Sequence, residues 1–242
     1  MSPVSVDLAS AYVLHTRHYR DTSLLVTVLT ETHGKLTLIA RGARKTTKST
    51  KNPRYLLQPF IPLALSWQGK SALKTLTSME ATSPQINLLG NRLYSAMYVN
   101  ELLVYLLQDD DASNVIFAIY QKTLQLLACK DLPIEAVLRP FEFSLLVELG
   151  YGIDFEHESD HYESIDPAKH YYFLPDQGFV LTDLHPDIRA ATFSGQAVIS
   201  IGQRDYHSTT VRQAAKSIAR IALSPHLKNR QLKSRELFMK HE

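Results

Sequence analysis

The 242-residue chain has one cysteine, one tryptophan and only nine glycines. A lone Cys129 excludes a disulfide framework and any four-cysteine zinc site, and such sparing use fits a reducing compartment. Long apolar runs are missing as well. No stretch of about 18 uncharged apolar residues occurs, so no membrane-spanning helix is expected. The opening, Met1-Ser-Pro-Val-Ser-Val-Asp7, has neither the basic segment nor the apolar run of a secretory leader, and a cytoplasmic protein is expected. The dinucleotide glycine pattern and the G-x-S-x-G nucleophile elbow are both absent. What is present is ordinary for a globular chain, 45% hydrophobic and 21% charged, which excludes a disordered one. The length suits one large or two modest domains.

The net charge of +2 conceals a strong segregation. Residues 1–75 hold 11 Lys/Arg against three acids, residues 76–203 hold six against 18, and residues 204–242 hold nine against three. Two basic ends therefore flank an acidic middle. That pattern points to an anionic partner touching only part of the protein, nucleic acid first among them.

Periodicity divides the chain near residue 80. Ala11–His15, Leu24–Thr30, Lys35–Ala40, Phe60–Trp67 and Ala72–Thr77 alternate or are β-branched, with turns at Thr32-His-Gly-Lys35 and Gln68-Gly-Lys70. Five short strands and one long basic loop fit a small closed barrel, an OB-fold or alternatively an SH3-like barrel. Beyond Ser83-Pro84 helices are expected over 91–108, 112–128, 133–149, 194–202 and 209–224. Asp109-Asp-Asp111 would stop the first of these and offer caps to the second. Residues 154–187 are acidic and irregular, with one small hairpin at 171–181. Cys129 is expected to be buried in an apolar helix and inert.

Two motifs imitate catalytic signatures. Ala64-Leu-Ser-Trp-Gln-Gly69-Lys70-Ser71 resembles a phosphate-binding loop, but a strand-like segment follows it where that chemistry needs a helix N-terminus. It reads as a hairpin turn. His157-Glu158-Ser159-Asp160-His161 spells H-E-x-x-H, yet acids crowd it and no apolar helix flanks it, so a solvated acidic loop is expected. The sequence leaves open whether His157, His161 and His170 hold a metal. No cofactor and no catalytic residue is expected.

The strongest functional signal is the segment from Arg41 to Tyr55, with Arg41, Arg44, Lys45, Lys48, Lys51 and Arg54, several Ser and Thr, and no acid. Such cations neutralise phosphates and release counterions, while the hydroxyls hydrogen-bond phosphate oxygens. Tyr55, Phe60 or Trp67 would stack bases. Lys35 belongs to the same basic region. Lys228, Arg230, Lys233 and Arg235 form a second run that could extend the track.

Ala11-Tyr-Val-Leu-His15, Asp21-Thr-Ser-Leu24, Glu31-Thr-His-Gly-Lys35, Ala40-Arg-Gly-Ala-Arg44, Gln58-Pro-Phe-Ile-Pro62, Tyr98-Val-Asn-Glu-Leu102, Arg139-Pro-Phe-Glu142, Leu149-Gly-Tyr-Gly152 and Leu232-Lys-Ser-Arg-Glu-Leu-Phe238 follow one another along the chain. In that order and spacing they resemble the RecO family of bacterial recombination mediators. The resemblance implies an α+β, multidomain chain. Residues 1–80 would form a DNA-binding OB-fold, and 81–242 a mainly α-helical domain with an irregular, degenerate zinc-ribbon-like insert at 153–187. It further implies binding of single- and double-stranded DNA, annealing of complementary strands, and cooperation with RecR to load RecA onto DNA coated by single-strand binding protein (SSB). Relatives hold the C-terminal tail of SSB on the helical domain, and Arg139 matches one cation of that pocket. Some relatives carry a cysteine zinc site in the insert. This chain has no cysteine there, so no structural zinc is expected.

Overall fold

The computed structural model describes residues 5–44, 53–71, 73–228 and 230–239. Five strands open the chain: β1 (Ser5–Tyr19), β2 (Ser23–Thr30), β3 (Gly34–Ala40), β4 (Leu63–Gln68) and β5 (Leu73–Ala81). They close a barrel in the order β1-β2-β3-β5-β4, antiparallel except for the β3–β5 pair. This is the OB-type barrel expected from the alternation. β1 is longer than its apolar stretch foretells because it pairs with β4 through its first half and with β2 through its second. Register shifts between Val6 and Ala9 and between Val13 and His15 let one strand curl around the closure. Extra residues in a strand produce such bends. Val13, Val26, Val28, Leu38 and Leu65 are wholly buried inside. Gly69, at φ 140°, turns β4 into β5, so the phosphate-loop look-alike is a hairpin, as its strand-like flanks require.

The helices are α1 (Asn91–Leu106), α2 (Asn114–Ala128), α3 (Ile134–Glu148), α4 (Gly195–Gly202), α5 (Thr209–Leu223) and α6 (Ser234–Met239). A three-stranded sheet joins β6 (His170–Leu174), β7 (Gly178–Leu181) and β8 (Thr192–Ser194) in the order β7-β6-β8. Two compact units result. One is Met1–Ala128 with Leu232–Glu242, and the other is Cys129–Gln231.

In the first unit α1 buries Ala96, Val99, Leu102 and Leu103. Its Asn100 is buried too and donates Nδ2 to the Leu14 carbonyl at 3.0 Å, while Tyr120 of α2 donates its hydroxyl to Asn100 Oδ1 at 2.8 Å. One amide thus ties α1 to a strand and to its neighbouring helix. Glu101 on the next position accepts from the backbone N–H groups of Lys233 and Ser234, both at 2.9 Å, and caps α6 from outside its own segment.

The acidic run between α1 and α2 does something the sequence did not disclose. α2 is capped by Ser113, whose Oγ accepts from Ile116 N–H at 3.1 Å. Asp109 instead meets Lys35 Nζ at 3.1 Å and Asp110 meets Lys74 Nζ at 2.6 Å. The run clasps β3 and β5 rather than capping a helix. Cys129 lies just past the end of α2 and is exposed, which corrects the expectation of a buried thiol. Among the described residues no helix is long and apolar enough to cross a membrane.

Candidate nucleic-acid interface

The basic segment is rooted at both ends in the barrel. At its start Ala43 is buried and Arg44 donates its backbone N–H to the Thr22 carbonyl at 2.9 Å. At its far end a short 3-10 turn (Pro53–Tyr55) leads to buried Leu57 and Phe60. Gly42, at φ 69°, adopts the left-handed turn that glycine enters without steric cost. Lys45, Lys48 and Lys51 lie outside the described residues.

The described cations divide by task. Arg41 is exposed and has no ion-pair partner among the described residues. Arg44 turns inward, its guanidinium donating to the carbonyls of Arg20 at 3.2 Å and Asp21 at 3.1 Å, and so holds the β1–β2 turn. Arg54 is exposed, and its carbonyl accepts from Gln58 Nε2. Tyr55 is 70% exposed, open to a stacking base. Phe60 and Trp67 are not open to one. They are 4% and 2% exposed; Trp67 is on the inward face of β4, packed edge-on to His33 at 5.2 Å, and Phe60 is buried in the turn that precedes that strand. Lys35 is also buried. Its ammonium donates to the Val104 carbonyl at 3.0 Å and pairs with Asp109, so a phosphate would reach it only by displacing that carboxylate.

Arg20 joins this rim, exposed in the β1–β2 turn with its guanidinium 5.2 Å from the Tyr19 ring centroid. Isolated from the basic run in sequence, it gives no signal there except its place in the first loop of an OB-fold, a loop such folds use for ligands. Lys228 and Arg230 are exposed in the second unit, whereas Lys233 and Arg235 belong to the first, around α6.

Arg139 on α3 is 6% exposed, and its Nη1 lies 2.6 Å from Glu142 Oε2, itself fully buried. The pair is a buried one, not the surface ion pair an i, i+3 spacing suggests. Arg139 Nε has no hydrogen-bond partner among the described residues. Nearby Tyr206 is pushed up to about 12 by burial, with Glu142 adding to the rise and Arg204 and Arg139 opposing it.

The H-E-x-x-H segment is a loop, exposed at Ser159 and His161, but it closes around a buried Glu158. Glu158 is 2% exposed and accepts from the backbone N–H groups of His161 at 2.9 Å and Glu163 at 3.2 Å, as well as from that of Asp160. Asp160 accepts from the Leu181 N–H at 2.8 Å and meets His185 Nε2 at 2.6 Å. His157 bonds Asp154 and stacks on Tyr162 at 4.5 Å, and His170 is exposed on β6. Among the described residues no three His, Cys, Asp or Glu side chains gather to hold a metal. His157, His161 and His170 are thus not gathered on one point, and the insert's side chains do not fit a zinc ion.

The chain is thus an OB-fold barrel with a basic lip, followed by a helical region. The family model described as "Recombination protein O N terminal" matches residues 5–85, and "Recombination protein O C terminal" matches residues 90–236. A DNA repair protein RecO of Tolumonas auensis is 44% identical over 232 residues, covering 96% of this chain and 95% of that protein. Its counterparts in Cellvibrio japonicus and Haemophilus influenzae are each 43% identical, covering 96% of this chain and 97% and 95% of theirs. The chain belongs to the RecO family of DNA repair proteins.

Proposed function

We propose that this chain is a non-enzymatic DNA-binding protein of recombinational repair. It anneals complementary single strands and helps load RecA onto SSB-coated DNA together with RecR. The observation that carries the reading is the cation-rich, acid-free segment from Arg41 to Tyr55, rooted in an OB barrel by Ala43 and Leu57. Annealing makes and breaks no covalent bond. It needs only enough cations to let two polyanions approach. In this reading residues 1–80 carry the DNA through Arg41, Lys45, Lys48, Lys51, Arg54 and Tyr55. Arg44 shapes the rim, and Lys228, Arg230, Lys233 and Arg235 supply further cations for DNA. Residues 81–242 carry the protein contacts, and the nucleoid is where such a protein works.

A second activity, binding of the SSB tail at Arg139, rests on the unpartnered Nε beside apolar helices. A carboxylate arriving there would compete with Glu142 for the guanidinium. The test combines both surfaces: annealing of complementary fluorescent oligonucleotides coated with SSB, intact or lacking its tail. Annealing that requires the intact tail is the expected result. With about six phosphate contacts, the slope of log affinity against log salt on single strands should be about −4. Arg41→Ala with Lys45→Ala and Lys48→Ala should flatten that slope by about 2. A slope near zero for the unaltered protein refutes the electrostatic reading.

A further inference from the structure

The second unit carries a surface that the barrel reading does not use. α5 contains Arg212, Lys216 and Arg220 and no acid. Arg212 is engaged locally, donating to the Tyr206 and His207 carbonyls and to Thr209. Lys216 and Arg220 are exposed, and neither side chain has a hydrogen-bond or ion-pair partner among the described residues, nor does that of exposed Lys228. Residues 216 and 220 lie four apart, on one face and about 6 Å apart along the helix. Ser224 and Lys228 continue the spacing beyond its end, with Lys228 set by a left-handed backbone at φ 48°.

At that end an open groove of about 500 Å³ is lined by Pro175, Ile221, Ser224, Pro225 and Lys228. Its walls set the apolar faces of Pro175, Ile221 and Pro225 beside one hydroxyl and one ammonium. The residue after Pro225 is His226, whose ring lies 3.8 Å from that of Tyr151 at an interplanar angle of 31°. Tyr151 is 52% exposed, on a loop between Gly150 and Gly152. A row of cations, an apolar slot and an exposed aromatic stack therefore meet at one end of α5.

We propose that this surface is a second contact for single-stranded nucleic acid. Phosphates of one strand lie on Lys216, Arg220 and Lys228, one base enters the proline-walled groove, and another extends the Tyr151–His226 stack. Lys216 and Arg220, about 6 Å apart, suit neighbouring phosphates of an extended polyanion, Lys228 adds a further charge past the helix end, and stacking platforms beside such cations accept any base. Paired bases keep their faces inside the duplex, so the surface selects single strands. Exposed Asp176, beside Pro175, repels a strand that strays from the cationic line. An acidic peptide with an apolar end would satisfy the groove and the ammonium groups, but it would leave the stack and most of the row unused.

The proposal deepens the DNA-binding reading and rests on it. The experiment is fluorescence anisotropy of the full-length protein with a labelled oligo-dT and with a labelled duplex, across a salt series. Lys216→Glu with Arg220→Glu should reduce the single-strand salt slope by about 1.4. Tyr151→Ala should weaken oligo-dT about ten-fold and leave the duplex unchanged, while Tyr151→Phe should restore binding. All these side chains are exposed, and a thermal melt confirms that each variant folds. If the unaltered protein binds oligo-dT but these variants keep its affinity and slope, the proposal fails and the barrel reading stands. If they lose only binding of an acidic peptide ending in a hydrophobic residue, the surface is a peptide site and the proposal is overturned. If the unaltered protein binds neither nucleic acid, the DNA-binding reading itself falls.

Discussion

Replacing Glu158 by Ala tests what holds the insert together. The carboxylate is 2% exposed and receives the N–H groups of Asp160, His161 and Glu163, three donors that one turn of chain aims at a single point. A hydrogen bond to a charged group contributes about 1.5–3 kcal/mol. His161 and Glu163 are exposed residues, so water would recover part of what their N–H groups lose. A total cost of about 3 kcal/mol follows, and Glu158→Gln, which keeps one acceptor oxygen in place, should cost about half of it. For a domain of this size that corresponds to a melting point lower by about 10 °C for the Ala variant. Scanning calorimetry of the full chain gives the shift, and amide exchange localises it, with 160–163 opening before the core of α5. A chelator should leave the unaltered protein unchanged. Two results refute the reasoning: an Ala variant melting within about 2 °C of its parent, or a chelator that reproduces the mutant's loss.

Two further outcomes are expected. Gly34 has φ 65°, and a Cβ there would lie 2.0 Å from the Asp111 carbonyl oxygen, so Gly34→Ala should cost more than about 2 kcal/mol and loosen the α1–α2 connection from the barrel. Chemical denaturation measures it, and a neutral result would mean that Asp109–Asp111 moves aside freely. Asp160 titrates below its ordinary 3.8: burial opposes this, but the hydrogen bond from His185, the Leu181 N–H and the charges of His185 and His161 outweigh it. A depressed acid stabilises the fold above its unfolded value and ceases to as pH falls through the folded one. The insert should therefore loosen below about pH 4, read by amide exchange at Leu181. Asp160→Asn should abolish that step, and an unchanged step would assign it to another acid.

Elements with one dominant pattern were legible in the sequence. Alternation gave the five barrel strands, and apolar spacing gave α1 to α5 within a few residues, because each buries one face against a core. β8 and α6 were not legible. β8 has three residues and exists only by pairing with β6, and α6 has six and is held by Glu101 from α1. The site divides along the same line. The concentration of cations from Arg41 to Arg54 is a local property and shows in the sequence. Whether a side chain in that region faces solvent is a tertiary property, so Lys35, Phe60 and Trp67 were expected at an interface and lie inside. Arg20 was missed for the opposite reason, lying well before the cationic run in sequence. Resemblance to a family supplied Arg139 but not its burial against Glu142.

The charge segregation takes on a different meaning once partners are known. The acidic middle looks like a field that would repel the very polyanion the basic ends attract. Many of its carboxylates, however, are engaged inside the protein. Asp109 and Asp110 hold Lys35 and Lys74, Glu142 holds Arg139, Glu101 caps α6, Glu158 closes its own loop, and Asp160 and Asp154 hold His185 and His157. A carboxylate whose charge is matched at contact distance contributes little beyond a Debye length of about 8 Å. The two lysines removed from the basic end, Lys35 and Lys74, are those nearest the acidic clasp, while Arg41, Lys216, Arg220 and Lys228 have no ion-pair partner among the described residues. Folding therefore sharpens the contrast. It pairs many of the acids within the molecule, at the surface for Asp109 and Asp110 and in the interior for Glu142, and leaves exposed cations to define the field that an approaching strand meets.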